Sequence, residues 1–266
     1  MKKSEKLVTL TIDGREVQAE KRTPLIKVAK KVGIKIPTLC YHEALEPYGV
    51  CRLCTVEVVR GKRTRFVTAC NYPVEDGIKV WTQSEKVIKI RKMVVETLLA
   101  RCPNVKIIQD LAAEFGIKKS RFENLDEDCI LCGLCVNICS QIVGENAIGF
   151  ASRGIDREVD TPFAMPSDIC IGCGACSWVC PTGAIKMELE TVERFRKLPG
   201  NERLCRYTLM GIMSYGLCAN SFRCYHCEVD QRFRDQLNTH PIFAARNIEI
   251  KPVKQYFEFL ERTRKR

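Results

Sequence analysis

Two four-cysteine motifs of identical spacing constrain this chain more than any other feature. Cys129, Cys132, Cys135 and Cys139 read C-x2-C-x2-C-x3-C, and Cys170, Cys173, Cys176 and Cys180 repeat that spacing 41 residues later, ending in Pro181. Segments this short bury too little apolar surface to fold alone, and they lean on a bound metal for stability. Three closely spaced thiolates wrap one face of a four-iron cubane, while the fourth is turned away by the following helix and completes the other cluster. The spacing therefore assigns Cys129, Cys132, Cys135 and Cys180 to one [4Fe–4S] centre, and Cys170, Cys173, Cys176 and Cys139 to a second. Gly133, Gly172 and Gly174 keep a Cβ out of the path between backbone amides and the cluster sulfides. Ser140 stands where proline would match the other copy, and Pro181 to Ile185 predicts a strand re-entering the domain. A pair of zinc sites is the competing reading, but zinc rarely takes its fourth ligand from a remote copy of the motif.

Upstream, Cys40, Cys51, Cys54 and Cys70 read C-x10-C-x2-C-x15-C. Plant-type [2Fe–2S] ferredoxins share a tight C-x2-C pair with a distant fourth ligand, although their first gap is x4. Ligands offered by a loop at the edge of a small β-rich domain favour one [2Fe–2S] centre here, with structural zinc or free thiols as the alternatives. Gly49 and Arg52-Leu53 are positioned to donate amides to the sulfides, and His42 reads as an oriented loop histidine because four cysteines suffice. Farther on, Cys205, Cys218, Cys224 and Cys227 read C-x12-C-x5-C-x2-C. There a third [4Fe–4S] centre, a zinc ion with His226 able to replace one ligand, and unligated thiols all stay open. Cys102 is left over and reads as a buried structural thiol.

The 17 cysteines follow no signal-peptide pattern, since Ser4, Glu5 and Lys6 interrupt any apolar run behind Met1, so metal ligation accounts for them better than disulfides. No apolar run approaches the ~20 residues that span a bilayer. The expectation is a cytoplasmic chain that meets a membrane only through partners. The formal charge is +11. Each oxidised cluster with its four thiolates carries roughly −2, so three clusters leave about +5 and four about +3. Most of the basic excess then offsets clusters instead of marking a nucleic-acid surface. The run Arg262 to Arg266 reads as a solvated tail.

The expected fold is α+β. It comprises a β-grasp [2Fe–2S] ferredoxin-like domain over 1–83, a helical linker over 84–125, and a two-cluster [4Fe–4S] ferredoxin-like domain over 126–190. A small cysteine-rich C-terminal module with a charged helix follows over 191–266. Leu7 to Ile12 alternates like a strand, Asp13-Gly14 signals a hairpin, and Glu16 to Ala19 returns. Thr23 is the expected cap of a helix with Pro24 at its first position and Gly33 as its stop. Thr55 to Val59, Arg65 to Ala69 and Lys79 to Thr82 complete the sheet. Ser84 to Ala100 has a helical stripe of Val87, Ile88, Met93, Val94, Leu98 and Leu99, and a second helix covers Val105 to Phe115. Beyond Glu190 the pattern is charged and less regular until a terminal helix after Pro252.

These residues resemble a known family. Ile36-Pro37-Thr38-Leu39-Cys40-Tyr41-His42, Cys51-Arg52-Leu53-Cys54, the helix Ile90 to Leu99, Gln109-Asp110-Leu111-Ala112, Cys129-Ile130-Leu131-Cys132-Gly133 and Val179-Cys180-Pro181-Thr182-Gly183 carry the likeness, over roughly residues 5–190. The family is the large iron–sulfur subunit of respiratory complex I in its N-terminal region. The matching diaphorase subunits of NAD-linked hydrogenases and electron-bifurcating complexes are equally similar. The resemblance implies transfer of electrons from a flavoprotein that oxidises NAD(P)H to a terminal catalytic subunit of hydrogenase, formate, aldehyde or acyl-CoA type, with ferredoxin as a further partner. One departure stands out. The family's H-x3-C-x2-C-x5-C segment is missing, because Leu98-Leu99-Ala100-Arg101-Cys102-Pro103 runs almost directly into Gln109.

No G-x-G-x-x-G, P-loop or nucleophile elbow is present, so substrate chemistry is expected on other subunits. An iron–sulfur subunit of succinate dehydrogenase or fumarate reductase is a rival reading, disfavoured by the x10 gap. A zinc-stabilised scaffold that binds nucleic acid is the rival from another class.

Overall fold

The computed structural model describes residues 7–185, 187–237 and 239–249, so the terminal helix expected after Pro252 and the basic run 262–266 lie outside the described residues. The chain divides into two compact units, one formed by 1–41 with 47–132 and the other by 42–46 with 133–266.

In the first unit β1 (Leu7–Ile12) and β2 (Arg15–Glu20) form an antiparallel hairpin with Leu10 opposite Val17. Its two-residue turn needs positive φ at both positions, and Asp13 (φ 47°) and Gly14 (φ 81°) supply it. The Asp13 carboxylate accepts the Thr82 N–H at 2.7 Å, which also ties the turn to the segment at residue 82. Strands β3 (Thr55–Arg60), β4 (Arg63–Thr68) and β5 (Lys79–Trp81) complete a five-stranded mixed sheet of order β2-β1-β5-β3-β4, with β1 parallel to β5. This is the β-grasp arrangement that the sequence predicts. Alternate residues Val8, Leu10, Ile12, Val56, Val58 and Val80 face a core shared with Leu25, Ile26, Val28 and Ala29 of α1 (Leu25–Lys31). The charged edge strand β4 points Arg63 and Arg65 to solvent, which blunts unwanted pairing.

The start of α1 differs from the expectation. Thr23 makes no capping bond, and Pro24 is the cap residue with ψ 133°. The helix's first free amides are satisfied from elsewhere: Leu25 N–H donates to the Tyr72 carbonyl and Ile26 N–H to the Ala69 carbonyl, both at 2.9 Å. A tertiary partner thus replaces the local cap, and it ties α1 to the segment that carries Cys70.

Helix α2 (Glu85–Arg101) starts at Ser84, whose hydroxyl accepts the Val87 N–H. Its buried face holds Val87, Arg91, Val95, Glu96 and Ala100, whereas Met93, part of the predicted stripe, is exposed. Ile88, Val94, Leu98 and Leu99 are only half-buried. The reason is that two charged groups find partners on the inner face, so the face is set by pairing as well as by hydrophobicity. Helix α3 (Lys106–Glu114) follows.

The second unit holds α4 (Leu134–Ile138), a π-turn over Cys139–Val143, the two-stranded sheet of β6 (Gly149–Ala151) and β7 (Glu158–Asp160), and α5 (Ala175–Val179). Residues 183–185 belong to neither strand, so the re-entry strand predicted at Pro181 to Ile185 is not formed; β6 takes β7 as its partner. Helix α6 (Met187–Arg196) then runs past Glu190, more regular than its charged sequence suggests. Helices α7 (Arg206–Leu209), α8 (Glu228–Leu237) and α9 (Pro241–Ala245) complete the unit. No helix among the described residues is long and apolar enough to cross a membrane.

One ion pair on the inner face of α2 is open to a direct test. Arg121 donates from Nε and Nη2 to the two Glu96 carboxylate oxygens at 2.8 Å each, and its backbone N–H adds a bond to Oε1 at 2.9 Å. These bonds hold the Glu96 carboxyl down from 4.5 to about 2. The folded-state value lies below the unfolded one, so the pair's contribution is complete above pH 4.5 and is lost as pH falls toward 2. In thermal denaturation, Glu96→Gln should lower stability at neutral pH, and the gap from the unaltered protein should close on acidification; a pH-independent gap would contradict the assignment.

Candidate metal centres

The first unit gathers Cys40, Cys51, Cys54 and Cys70. All four are buried, and the Cys51 N–H donates to the Cys40 sulfur at 3.5 Å. Hydrogen bonds among the thiols divide the protons unevenly. The Cys51 thiol and then the Cys70 thiol pull Cys40 down to about 3. The Cys70 thiol pulls Cys54 down to about 7. Their partners move the other way: Cys51 is raised by its bond to Cys40, and Cys70 by its bonds to Cys40 and Cys54. The thiols link in series, Cys51 to Cys40, Cys40 to Cys70 and Cys70 to Cys54, a donor set that fits a small iron–sulfur core, and loading requires the remaining protons to leave. The loop between them reverses at Arg52, which takes φ 59°.

The sequence reading missed Arg91. It is 1% exposed, and its Nε and Nη2 donate to the Thr55 carbonyl at 3.2 and 2.8 Å. Burial pulls its guanidinium below the ordinary value, while the Cys54 thiolate and Asp13 push it back up. A buried cation beside the cysteine quartet is therefore part of the site. The signal was available, because Val87, Arg91 and Val95 repeat at four-residue spacing and a charge inside an inward stripe needs a partner.

In the second unit Cys139, Cys170, Cys173 and Cys176 line one apolar pocket together with Val143, Ala147 and Ile148. The structure thus brings a cysteine of the first motif copy to three of the second. The Ala147 N–H donates to the Cys139 sulfur at 3.3 Å, and burial raises the Cys139 thiol. Four thiols in a hydrocarbon wall with amides directed at sulfur suit a cubane.

The other predicted set is split by the unit boundary, with Cys129 and Cys132 in the first unit and Cys135 and Cys180 in the second. Cys132, Cys135 and Cys180 are buried. The two motif copies share one backbone device. Leu131 (φ 53°) and Gly172 (φ 62°) each reverse the chain before the second cysteine, and Gly133 (φ 75°) and Gly174 (φ 78°) reverse it again to start α4 and α5. The Leu131 reversal lets its N–H donate to the Cys129 sulfur at 3.4 Å.

The segment after residue 186 braces these loops in a way the motifs did not reveal. Arg194 donates to the carbonyls of Ser167, at 2.9 Å, and Cys170, at 3.0 Å. Arg246 donates to Ile142 and Val143 carbonyls at 3.1 and 3.0 Å, at the end of the turn that begins with Cys139. Arg206 donates to the Cys173 carbonyl. His240 accepts the Ile242 N–H at Nδ1, which leaves the proton on Nε2 to donate to the same carbonyl at 3.0 Å. His42, read as an oriented loop residue, accepts the Ala44 N–H at Nδ1 and stacks on Phe243 at 5.7 Å. Cys102 is fully buried, and burial pushes its thiol up to about 12.

Cys205, Cys218, Cys224 and Cys227 are all half-buried. Burial raises Cys205, and neighbouring Cys218 and Cys227 raise it further. Among the described residues, no group of three or more His, Cys, Asp or Glu side chains is arranged to hold a single metal ion.

A family model described as "2Fe-2S iron-sulfur cluster binding domain" matches residues 5–85, and one described as "4Fe-4S dicluster domain" matches residues 128–184. The NADPH-Fe(3+) oxidoreductase subunit alpha of Geobacter sulfurreducens is 37% identical over 204 residues, covering 67% of this chain and 24% of the relative. An NADH-quinone oxidoreductase subunit of Rhizobium meliloti is 31% identical over 207 residues, covering 67% and 24%. The NADP-reducing hydrogenase subunit HndD of Solidesulfovibrio fructosivorans is 31% identical over 212 residues, covering 67% and 36%. The chain spans no more than 36% of the length of these relatives. Among solved structures, an NAD+-reducing [NiFe]-hydrogenase in the H2-reduced state matches with 29% identity and a TM-score of 0.50, covering 58% of this chain and 74% of that one.

Replacing Arg91 tests its electrostatic part in the first centre. Arg91→Met should lower the one-electron midpoint potential of the [2Fe–2S] signal by on the order of 60 mV, because a nearby cation favours the more negative reduced state. An EPR-monitored redox titration reads this shift, and an unchanged or raised potential would contradict the role.

Proposed function

From the premise that residues 5–85 are a 2Fe-2S cluster binding domain and residues 128–184 a 4Fe-4S dicluster domain, we propose that this chain is the electron-transfer subunit of a multi-subunit oxidoreductase. Cys40, Cys51, Cys54 and Cys70 hold the [2Fe–2S] centre. Cys129, Cys132, Cys135 and Cys180 hold one [4Fe–4S] centre, and Cys139, Cys170, Cys173 and Cys176 the other. Bound there, the clusters supply one-electron redox chemistry.

The chain's own residues do the rest. Apolar walls at Val143, Ala147 and Ile148 exclude water from the sulfurs. The N–H groups of Cys51, Leu131 and Ala147 donate to sulfur and disperse its charge. Arg91 places a fixed cation by the first quartet, and Arg194 locks the loop of Cys170. The observation that carries the reading is the gathering of Cys139 with Cys170, Cys173 and Cys176 in one pocket, the exchange between motif copies that a two-cluster relay requires.

Relatives named for NADPH, NADH-quinone and NADP chemistry support an NAD(P)H-linked complex. The electron donor in this reading is a flavoprotein subunit that oxidises NAD(P)H. The acceptor is a terminal catalytic subunit of hydrogenase, formate, aldehyde or acyl-CoA type, and ferredoxin is a further exchange partner. We place the complex in the cytoplasm.

Serine substitutions in the native complex test both parts. Cys139→Ser should abolish the same cubane EPR signal as Cys170→Ser, and Cys180→Ser the same signal as Cys129→Ser. NAD(P)H should reduce the remaining centres only when the flavoprotein subunit is present. Loss of one common signal on Cys139→Ser and Cys129→Ser would contradict the ligand assignment, and reduction by NAD(P)H without a partner would contradict the relay.

A further inference from the structure

Residues 205–227 lie beyond both matched domains, yet they are folded around sulfur. An isolated antiparallel bridge joins Leu204 to Leu217. Around it, the Cys205 N–H donates to the Gly216 carbonyl at 2.8 Å and the Cys218 N–H to the Arg203 carbonyl at 2.7 Å. Cys205 and Cys218 thereby flank the Leu204–Leu217 pair diagonally, on the same face of the bridge. The Asn220 amide donates to the carbonyls of Arg223 and His226 at 3.2 and 3.3 Å, which closes the turn that carries Cys224 just ahead of Cys227.

Backbone geometry inside the loop is specific. Ser221 (φ 46°) and Phe222 (φ 56°) both adopt left-handed conformations that side chains disfavour. The return is an N–H···S bond from Phe222 to Cys218 at 3.2 Å. Leu131 also takes a left-handed conformation and donates its N–H to a cysteine sulfur, that of Cys129 two residues back in the first cubane motif. Cations gather here as well: Arg196 donates to the Ser221 carbonyl at 2.9 Å, and Arg203 donates to its hydroxyl at 3.4 Å.

The loop is also wired to the neighbouring site. Arg206 follows Cys205 directly in the chain, and its guanidinium donates to the carbonyl of Cys173 in the Cys139 pocket. One residue and one hydrogen bond therefore separate the two sulfur sets.

We propose that Cys205, Cys218, Cys224 and Cys227 hold a further [4Fe–4S] cluster, the station next in series to the Cys139, Cys170, Cys173 and Cys176 centre. The inference rests on the relay reading under the proposed function. The cluster takes one electron from the reduced neighbouring cubane, which is reoxidised, and gives it to a one-electron acceptor centre on a partner subunit. No substrate bond is made or broken. It replaces, as a fourth centre, the cubane whose H-x3-C-x2-C-x5-C motif this chain lacks.

The test is metal analysis of the full chain purified anaerobically, for which no variant has to fold. One two-iron and three four-iron centres give about 14 iron atoms per chain without stoichiometric zinc. The double variant Cys224→Ser with Cys227→Ser should lose about four iron atoms and one reduced-cubane EPR signal, and keep the [2Fe–2S] and dicluster signals. About 10 iron atoms per chain in the unaltered protein, with or without one zinc, would overturn this proposal and leave the three-centre relay standing. A chain without the broad visible absorption that dithionite bleaches would overturn the relay itself.

Discussion

Everything in this molecule depends on placing several thiolates within reach of one another inside a protein. Such a group is costly when buried, since each ionised sulfur is stripped of water and repels its neighbours. In the first unit mutual hydrogen bonds pull the Cys40 and Cys54 thiols down and push those of Cys51 and Cys70 up. Metal relieves the cost by exchanging the remaining protons for iron. The protein's contribution is to prepare the surroundings: backbone N–H groups aimed at sulfur, a buried guanidinium at Arg91, and apolar walls.

The two units answer this constraint differently. The β-grasp unit has a conventional core of alternating Val, Leu and Ile, and its quartet sits on a loop braced by that core. In the second unit the sulfur-bearing loops lie among short helices and a two-stranded sheet. Their stiffness comes from arginine and histidine side chains that donate to loop carbonyls. Arg194, Arg206, Arg246 and His240 all come from the segment after residue 186. That segment therefore completes the dicluster region.

Cysteine spacing and strand alternation made most of this visible in advance. The β-grasp order and the hairpin at Asp13-Gly14 follow from local patterns that tertiary structure does not override. What stayed hidden was long-range. Thr23 looked like a cap because no sequence rule shows that the 69–72 segment reaches the amides of α1 first. Met93 looked inward because hydrophobicity alone does not show that Glu96 pairs with Arg121 across 25 residues. The strand expected at Pro181 to Ile185 failed because β6 pairs with the nearer β7. The carbonyl-bracing arginines carry no motif, since any surface arginine has the same sequence signature until its acceptor is known.

The most direct measurement is acid-labile sulfide in the anaerobically prepared chain. Inorganic sulfide separates clusters from every arrangement in which the same thiols hold zinc or remain free. The account predicts at least about 10 sulfides per chain, from one two-sulfide and two four-sulfide cores. A chain that carries metal but releases no sulfide on acidification would contradict it.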